Sequence, residues 1–149
     1  MTARDQNLQS APCLGVVIPV FNEAATVAPL LQAVLAQPLV QEIVAVDDGS
    51  TDGTWSLLLA AAQSDQRVRA VRHEHNRGKG AALRTGFAQV SAPITLVQDA
   101  DLEYDPAEYP ALVRPILAGR ADVVFGSRFQ SAGAHRVLYF WHFVGNKLL

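Results

Sequence analysis

The sequence predicts an α/β domain whose mostly parallel sheet is flanked by helices. Two periods alternate along the chain: short apolar runs typical of buried strands, and apolar residues spaced three and four apart, as on one helix face. The connections are short, which favours strand–helix–strand units with right-handed crossovers. The chain has 149 residues, of which 50% are hydrophobic and 17% charged. This composition can bury a core, and the length suits one domain.

Three strands and two helices are predicted in the first half of the chain. The strands lie where apolar residues run together, at residues 14–20 and 42–47, and where apolar and basic residues alternate, at residues 67–73. A helix lies in each gap, because apolar residues recur there at the spacing of one helix face. These faces consist of Val27, Leu30, Leu31, Val34 and Leu35 in the first helix, and Trp55, Leu58, Leu59 and Ala62 in the second.

The second half of the chain continues the alternation. A third helix is predicted at about residues 80–90, with Leu83, Phe87 and Val90 facing inward. The remaining elements are a strand at 93–98, a helix at 106–117 and a strand at 122–126. Residues 1–13 are expected to form a disordered or frayed tail without a signal sequence.

Charge and cysteine content exclude several classes of function. Twelve basic and 14 acidic side chains give a formal charge of −2, without the clustered basic face that nucleic-acid binding requires. The single cysteine, Cys13, excludes a disulfide framework and a cysteine-based zinc site, and it fits a reducing compartment. The longest uncharged run, residues 24–41, contains two prolines and three glutamines and is not a membrane span. A cytoplasmic location is therefore predicted.

Polar, ionisable or glycine-rich groups follow all five predicted strands. In open parallel sheets, ligands bind beyond the carboxyl ends of the strands, which meet at one edge. The sequence therefore predicts a site built from five loops. These are FNE at residues 21–23, DDGS at 47–50, HNRGKG at 75–80, DAD at 99–101 and GSR at 126–128.

Asp99 and Asp101 are the strongest candidates for a metal site. Two carboxylates two residues apart, just past a strand, suit a hard divalent cation such as Mg²⁺ or Mn²⁺. A diphosphate leaving group needs such a cation to neutralise its charge. The alternative, that these acids merely begin a loop, stays open on this pattern alone.

Asp47 and Asp48 are adjacent acids at the buried end of the second strand. Such acids commonly accept hydrogen bonds from a ligand, for example from a base N–H or from ribose hydroxyls. One of the following residues, Ser50, Thr51 or Asp52, is also expected to cap the second helix. Capping by these residues does not explain the two aspartates.

The basic groups at the strand ends have two interpretations each. The glycine-rich turn at residues 77–80 opens a helix and can approach an anion, or it is a simple turn with a solvated Lys79. Arg128 clamps a phosphate through two hydrogen bonds, or it is an ordinary surface arginine. His73 and His75 have no further ligands in register, so they are expected to be solvated or core histidines.

Residues 135–149 combine aromatic and basic side chains. Val137, Trp141, Val144 and Leu148 share one face of a predicted helix. Such a helix lies in a membrane interface with its basic groups near lipid phosphates, or it packs on protein. Peripheral association with the cytoplasmic face of the membrane is therefore a second hypothesis for location.

Together these motifs make the sequence resemble the family 2 glycosyltransferases, which have the nucleotide-sugar-binding fold called GT-A, and in particular the dolichol-phosphate mannose synthase-like polyprenyl-phosphate transferases. Each motif alone is modest, but five of them in this order and spacing are specific. They are VIPVFNE at residues 17–23, VDDGSTDGT at 46–54, NRGKGAALRTG at 76–86, QDADLEYDP at 98–106 and VFGSR at 124–128.

The resemblance implies roles for individual residues. Asp101 would be the chief metal ligand and a catalytic residue, and Glu103 a second metal ligand. Arg128 would be catalytic and would meet the diphosphate or the lipid phosphate, while Arg136 would lie beside the acceptor. The nucleotide sugar would contact Pro19, Phe21, Glu23, Asp47, Asp48, Lys79, Asp99 and Ala100.

The implied reaction is inverting, metal-dependent transfer of a sugar from a UDP- or GDP-sugar to a polyprenyl phosphate. The acceptor phosphate is anionic at neutral pH, so it needs orientation more than a strong general base. Residues 14–149 would form the nucleotide-sugar-binding domain, with the acceptor side incomplete. The alternatives are a nucleotide-binding fragment without turnover and a transferase with a saccharide acceptor. Nothing in the sequence indicates an oligomeric state.

Overall fold

The computed structural model describes residues 12–126, which contain a four-stranded parallel sheet in the order β3-β2-β1-β4. The strands are β1 (Leu14–Val20), β2 (Val40–Asp47), β3 (Val68–Arg72) and β4 (Ile94–Val97). The predicted α/β class, the parallel sheet and the first four predicted strands are therefore confirmed.

Helices cover both faces of the sheet: the first three connect successive strands, and the fourth follows β4. They are α1 (Val27–Leu35), α2 (Thr54–Ser64), α3 (Lys79–Phe87) and α4 (Tyr109–Leu117), the last preceded by a 3₁₀ turn at Pro106–Glu108. No helix within residues 12–126 is long and apolar enough to cross a membrane.

The two central strands, β1 and β2, are buried on both faces because helices cover each side of the sheet. Ile43 and Ala45 point into the larger core, which also contains the buried face of α1. Val44 and Val46 point the other way and pack with Ala82 of α3. This alternation explains why the central strands are continuous apolar runs rather than alternating ones.

The predicted inward faces of two helices were partly wrong. Leu59 of α2 is exposed, and Phe87 of α3 is 47% exposed. The buried residues of α3 are small: Ala81, Ala82 and Gly86. A Cβ at Gly86 would lie 2.3 Å from Val17 Cγ1 on β1, so the helix approaches the strand too closely for large side chains on that face.

The fifth predicted strand, at residues 122–126, is not a strand in this structure. Its side chains include Val123 and Phe125, and the latter is 89% exposed. A strand forms when its backbone groups pair with a neighbour, and an apolar run cannot specify that neighbour by itself. Arg128, Arg136 and the helix predicted at residues 135–149 lie outside the described residues.

Candidate functional site

A cleft of about 320 Å³ lies at the edge of the sheet where the parallel strands end. Parallel strands bring their carboxyl ends to one edge, so loops distant in sequence meet there. Eight residues predicted from the sequence line the cleft: Pro19, Phe21, Glu23, Asp48, Lys79, Asp99, Ala100 and Asp101. Its other lining residues are Val20, Asn76 and Ala82, which the sequence did not single out.

Side chains of the β2 exit loop hold the β1 exit loop in place. The Asn22 backbone N–H donates to Ser50 Oγ at 2.9 Å, and the Thr51 N–H donates back to Asn22 Oδ1 at 2.9 Å. The Glu23 N–H donates to Thr54 Oγ1 at 2.9 Å. Asn22 has a φ of 56°, a left-handed conformation that asparagine tolerates better than most residues. These bonds fix the backbone on either side of Asn22, including the two cleft residues Phe21 and Glu23.

The N-cap residue of α2 is Gly53 rather than one of the three predicted residues, but Asp52 accepts a backbone hydrogen bond at the start of the helix. Its carboxylate accepts the Thr54 N–H at 2.9 Å at the start of α2, and it also accepts the Ala24 N–H at 3.2 Å. Hydrogen bonds from Thr54 are the main reason that the pKa of Asp52 lies below its usual value. Ser50 and Thr51 instead bond to Asn22 of the neighbouring loop.

Asp48 is the most heavily bonded carboxylate of the cleft and is 3% exposed. It accepts the Gly78 N–H at 2.7 Å and the Arg77 N–H at 3.0 Å, and His73 Nδ1 lies 2.6 Å away. Burial raises the pKa of Asp48, but these three donors outweigh that effect and hold the pKa below its usual value. The base or ribose contact expected for Asp48 stays a prediction, because protein donors face both of its oxygens in this structure.

The glycine-rich turn before α3 therefore has an anion of its own chain at its N–H groups. Gly78 has a φ of 86° and is the N-cap residue of α3. Its N–H, with that of Arg77, points at the Asp48 carboxylate. A helix N-terminus favours negative charge, and here an internal aspartate supplies it. The predicted approach to an external anion stays a prediction.

Asp47 does not line the cleft with its neighbour. Successive side chains leave a strand in opposite directions, and Asp47 points towards β3. Its fully buried carboxylate accepts the Ser50 N–H at 3.2 Å and lies 3.1 Å from Arg72 Nε. The Arg72 guanidinium also lies 5.4 Å from the centre of the Trp55 ring. The predicted contact of Asp47 with a nucleotide sugar has no support from this placement.

Lys79 and Asp99 face each other across the cleft. Lys79 Nζ lies 2.6 Å from Asp99 Oδ1, and the side chains are 59% and 27% exposed. An ion pair this open to solvent is weak, so Lys79 can exchange its partner for a ligand anion at little cost. Lys79 is thus not simply solvated, as one of the two interpretations had it.

Asp101 lies on an exposed turn just past β4. Its Oδ1 accepts the Glu103 N–H at 3.0 Å, and Leu102 between them has a φ of 62°. Glu103 itself does not line the cleft. Below the turn, Gln98 is buried, donates to the Asp99 carbonyl at 3.1 Å and accepts from Tyr109 Oη at 2.8 Å. This network ties the turn to the start of α4.

The carboxylates at the cleft fit a cation shared with a ligand. Asp99 and Asp101 both line the cleft and offer hard oxygen ligands. Among residues 12–126 no three His, Cys, Asp or Glu side chains cluster as a complete protein site. Mg²⁺ is typically bound by one or two carboxylates together with phosphate and water, and Asp99 and Asp101 would supply the two carboxylates.

The two histidines behave as the sequence predicted. His73 is buried, with Nδ1 against Asp48 and Nε2 2.9 Å from Thr85 Oγ1, whereas His75 is exposed. The link between His73 and Asp48 was missed, because 25 residues separate them and no local pattern connects them. Asn76, which belongs to a predicted loop but was not named as a site residue, is placed by a turn in which its Oδ1 accepts the Gly78 N–H at 3.0 Å.

Fold and site together define a class of protein: an α/β domain with an open cleft over the carboxyl edge of a parallel sheet, lined by carboxylates and a lysine. The chain belongs to glycosyl transferase family 2, whose family model matches residues 15–141. The predicted family is thereby confirmed.

Relatives of known name support the same branch of the family. The chain is 42% identical over 108 residues to the undecaprenyl-phosphate 4-deoxy-4-formamido-L-arabinose transferase of Serratia proteamaculans, covering 68% of this chain and 32% of that protein. It is 34% identical over 122 residues to the dolichol-phosphate mannosyltransferase of Pyrococcus furiosus, covering 80% of this chain and 34% of that protein. The chain thus spans about a third of the length of these relatives.

A solved structure shares the fold. The glucosyl-3-phosphoglycerate synthase of Mycobacterium tuberculosis, in complex with Mn²⁺, UDP-glucose and phosphoglyceric acid, superposes with a TM-score of 0.62 at 30% identity. The similarity covers 77% of this chain and 43% of that one. The GT-A-like fold predicted from the sequence is confirmed.

Proposed function

We propose that this domain binds a nucleotide sugar in the cleft and transfers the sugar to a phosphate-bearing acceptor. One observation carries the proposal: Pro19, Phe21, Lys79, Asp99 and Asp101, which lie far apart in sequence, line one cleft at the carboxyl edge of the sheet. The relatives that act on polyprenyl phosphates and the neighbour that binds UDP-glucose with Mn²⁺ support it.

Each side of the cleft suits one part of a nucleotide sugar. Phe21 is 44% exposed and presents an apolar surface against which a base can pack. Lys79 supplies positive charge for the diphosphate. Asp99 and Asp101 would hold Mg²⁺ or Mn²⁺, which when bound neutralises the charge that grows on the departing diphosphate. Asp101 is the residue that we expect to matter most for this.

The proposed acceptor is a polyprenyl phosphate, and the proposed stereochemistry is inversion. An acceptor phosphate oxygen attacks the anomeric carbon from the face opposite the diphosphate, so the glycosyl–phosphate bond forms as the bond to the diphosphate breaks. This nucleophile is already anionic, and the protein's part is to orient it and exclude water. Arg128 and Arg136, proposed to meet the phosphates, lie outside the described residues.

Calorimetry with UDP- and GDP-sugars, with and without Mn²⁺, tests the binding half of the proposal. Wild type is expected to bind one of the nucleotide classes, and Asp101→Asn to bind it about tenfold more weakly when Mn²⁺ is present. Glu108→Gln is the matched control, since it removes an exposed carboxylate outside the cleft. Binding that is equal in wild type and Asp101→Asn would refute the proposed role of Asp101.

Acceptor choice is tested separately, with the purified chain, the sugar donor and three acceptors. The proposal expects product from a short-chain polyprenyl phosphate. Product from phosphoglycerate instead would indicate the same acceptor as that of the structural neighbour. Product from a saccharide would refute the proposed phosphate acceptor. Nucleotide binding with no product from any acceptor would leave a nucleotide-binding domain without turnover of its own.

A further inference from the structure

We propose that His73 is a positioning residue of the nucleotide cleft: through Asp48 it fixes the turn that carries Asn76 and Lys79. The position of this turn follows from contacts within the chain. Its consequence for nucleotide affinity rests on the function proposed above.

The first step concerns the proton on His73. An ionised carboxylate only accepts hydrogen bonds, and the low pKa of Asp48 keeps it ionised. His73 Nδ1 lies 2.6 Å from Asp48 Oδ1, so Nδ1 carries a proton and donates it to that oxygen. On the other side of the ring, Nε2 meets Thr85 Oγ1 of α3 at 2.9 Å. The imidazole is therefore held from the β2 exit loop and from α3 at once.

The second step concerns the hydrogen bonds that Asp48 accepts while His73 holds it in place. Its two oxygens face the N–H groups of Arg77 and Gly78, at distances of 2.7–3.1 Å. These residues immediately precede Lys79, the first residue of α3. A carboxylate that could rotate away from His73 would leave both N–H groups without this acceptor. His73 thus acts on the turn through one intermediate.

Burial explains why the histidine is needed for this purpose. Asp48 is 3% exposed and His73 7% exposed, so water cannot readily replace the imidazole as a donor. The β3 exit loop also lies directly on the β2 exit loop: Gly49 has a φ of 76°, and a Cβ there would be 2.5 Å from the His75 carbonyl carbon. The two loops form one packed unit, and the His73–Asp48 bond lies inside it.

Two substitutions separate positioning from mere packing. His73→Asn retains a donor near the position of Nδ1, whereas His73→Gln reaches towards the position of Nε2 and loses the donor to Asp48. We expect His73→Asn to bind the nucleotide within about threefold of wild type and His73→Gln to bind it about tenfold more weakly, as loss of a hydrogen bond to a charged group implies. If the two affinities follow the two melting temperatures instead, His73 is a packing residue and the proposal fails.

Two measurements on the 149-residue wild-type chain need no nucleotide and no variant. Nitrogen-15 NMR of the imidazole is expected to show the proton on Nδ1, and amide exchange is expected to show protected N–H groups at Arg77 and Gly78. A neutral ring protonated at Nε2, or unprotected amides, would overturn the proposal. Absence of nucleotide binding by wild type would instead overturn the function proposed above, while these two results would still decide the role of His73 in placing the turn.

Discussion

Lys79 is a residue at which a contact seen in the structure competes with a contact proposed for the ligand. Its ammonium pairs with Asp99, but the pair is largely open to solvent. Exposed pairs of this kind contribute about 0–1 kcal/mol to stability. A diphosphate in the cleft would offer Lys79 more negative charge than one carboxylate does. A cation bound at Asp99 would also weaken the attraction between Asp99 and Lys79. We therefore expect Lys79 to matter more for ligand binding than for folding.

Lys79→Gln tests this assignment. The expected result is a loss of about tenfold in affinity for the nucleoside diphosphate, while the free energy of unfolding changes by less than about 1 kcal/mol. Calorimetry and urea unfolding measure the two quantities. Arg84→Gln, which removes an exposed cation from the same helix outside the cleft, is the control and should change neither. A loss of stability without a loss of affinity would contradict the assignment.

Asp48 makes the free energy of unfolding depend on pH. Its folded pKa lies below its usual value of 3.8, so its bonds to the protein stabilise the fold fully above the unfolded pKa. That stability is lost as the pH falls through the folded pKa, when the carboxyl becomes protonated. The free energy of unfolding of wild type should exceed that of Asp48→Asn by about 2 kcal/mol at neutral pH.

Urea unfolding at several pH values measures the gap between wild type and Asp48→Asn. It should be constant above about pH 5 and shrink steadily below about pH 4. Asp122→Asn removes an exposed carboxylate and should give a curve parallel to that of wild type over the whole range. A gap that did not narrow in acid would mean that the folded pKa of Asp48 is not depressed.

At the scale of the residue, the sequence predicted which side chains lie close together, but not which hydrogen bonds they make within the chain. Asp48, Lys79 and Asp99 were predicted for one site because parallel strands end at one edge. The bonds from His73 and Gly78 to Asp48 could not be predicted, since they join segments 25 and 30 residues apart. Asp47 does not line the cleft, because alternation along the strand sends adjacent acids in different directions, and its contact with a nucleotide sugar stays a prediction.

At the scale of the element, α3 shows the limit of helical patterns. The apolar pattern predicts large residues on its inward face, but the helix packs on β1 through Gly86 and on β2 through Ala82. Distance between elements decides this choice: close approach of helix and strand selects small residues, and large ones turn outward. The strands were easier to predict, because burial on both faces makes a strand apolar throughout.

Two glycines of α3 make a matched test of this packing. Gly86→Ala would place a Cβ 2.3 Å from Val17 Cγ1, while a Cβ at Gly80 would lie 3.9 Å from Arg84 Nη1, an ordinary van der Waals contact. We expect Gly86→Ala to lower the free energy of unfolding by about 1–3 kcal/mol through overpacking. Gly80→Ala should raise it by up to about 1 kcal/mol, since alanine favours a helix more than glycine does. Thermal and urea unfolding measure both, and equal effects at the two sites would contradict the close contact with β1.

At the scale of the whole molecule, the site exists because four separate loops meet where the parallel strands end. The β1 and β2 loops are bonded to each other through Asn22, and the β2 and β3 loops through Asp48. The β4 loop joins them through the exposed pair of Lys79 and Asp99. The turn after β4 is held from below by Gln98, which bonds to the Asp99 carbonyl and to Tyr109, while its contact with Lys79 is an ion pair open to solvent. This turn carries the carboxylates proposed to hold a metal.

This arrangement predicts how metal and nucleotide affect each other's binding. Asp99 and Asp101, without a cluster of three ligands among residues 12–126, would by themselves make a weak site for Mn²⁺. A diphosphate would add oxygen ligands and draw Lys79 away from Asp99, so UDP or GDP should tighten Mn²⁺ binding by about tenfold or more. Linkage requires Mn²⁺ to tighten nucleotide binding by the same factor. Calorimetry of each titrant in the presence of the other measures both factors, with uridine or guanosine, which lack the diphosphate, as the control. Equal Mn²⁺ affinity with nucleoside and with nucleoside diphosphate would show that metal and diphosphate do not share this site.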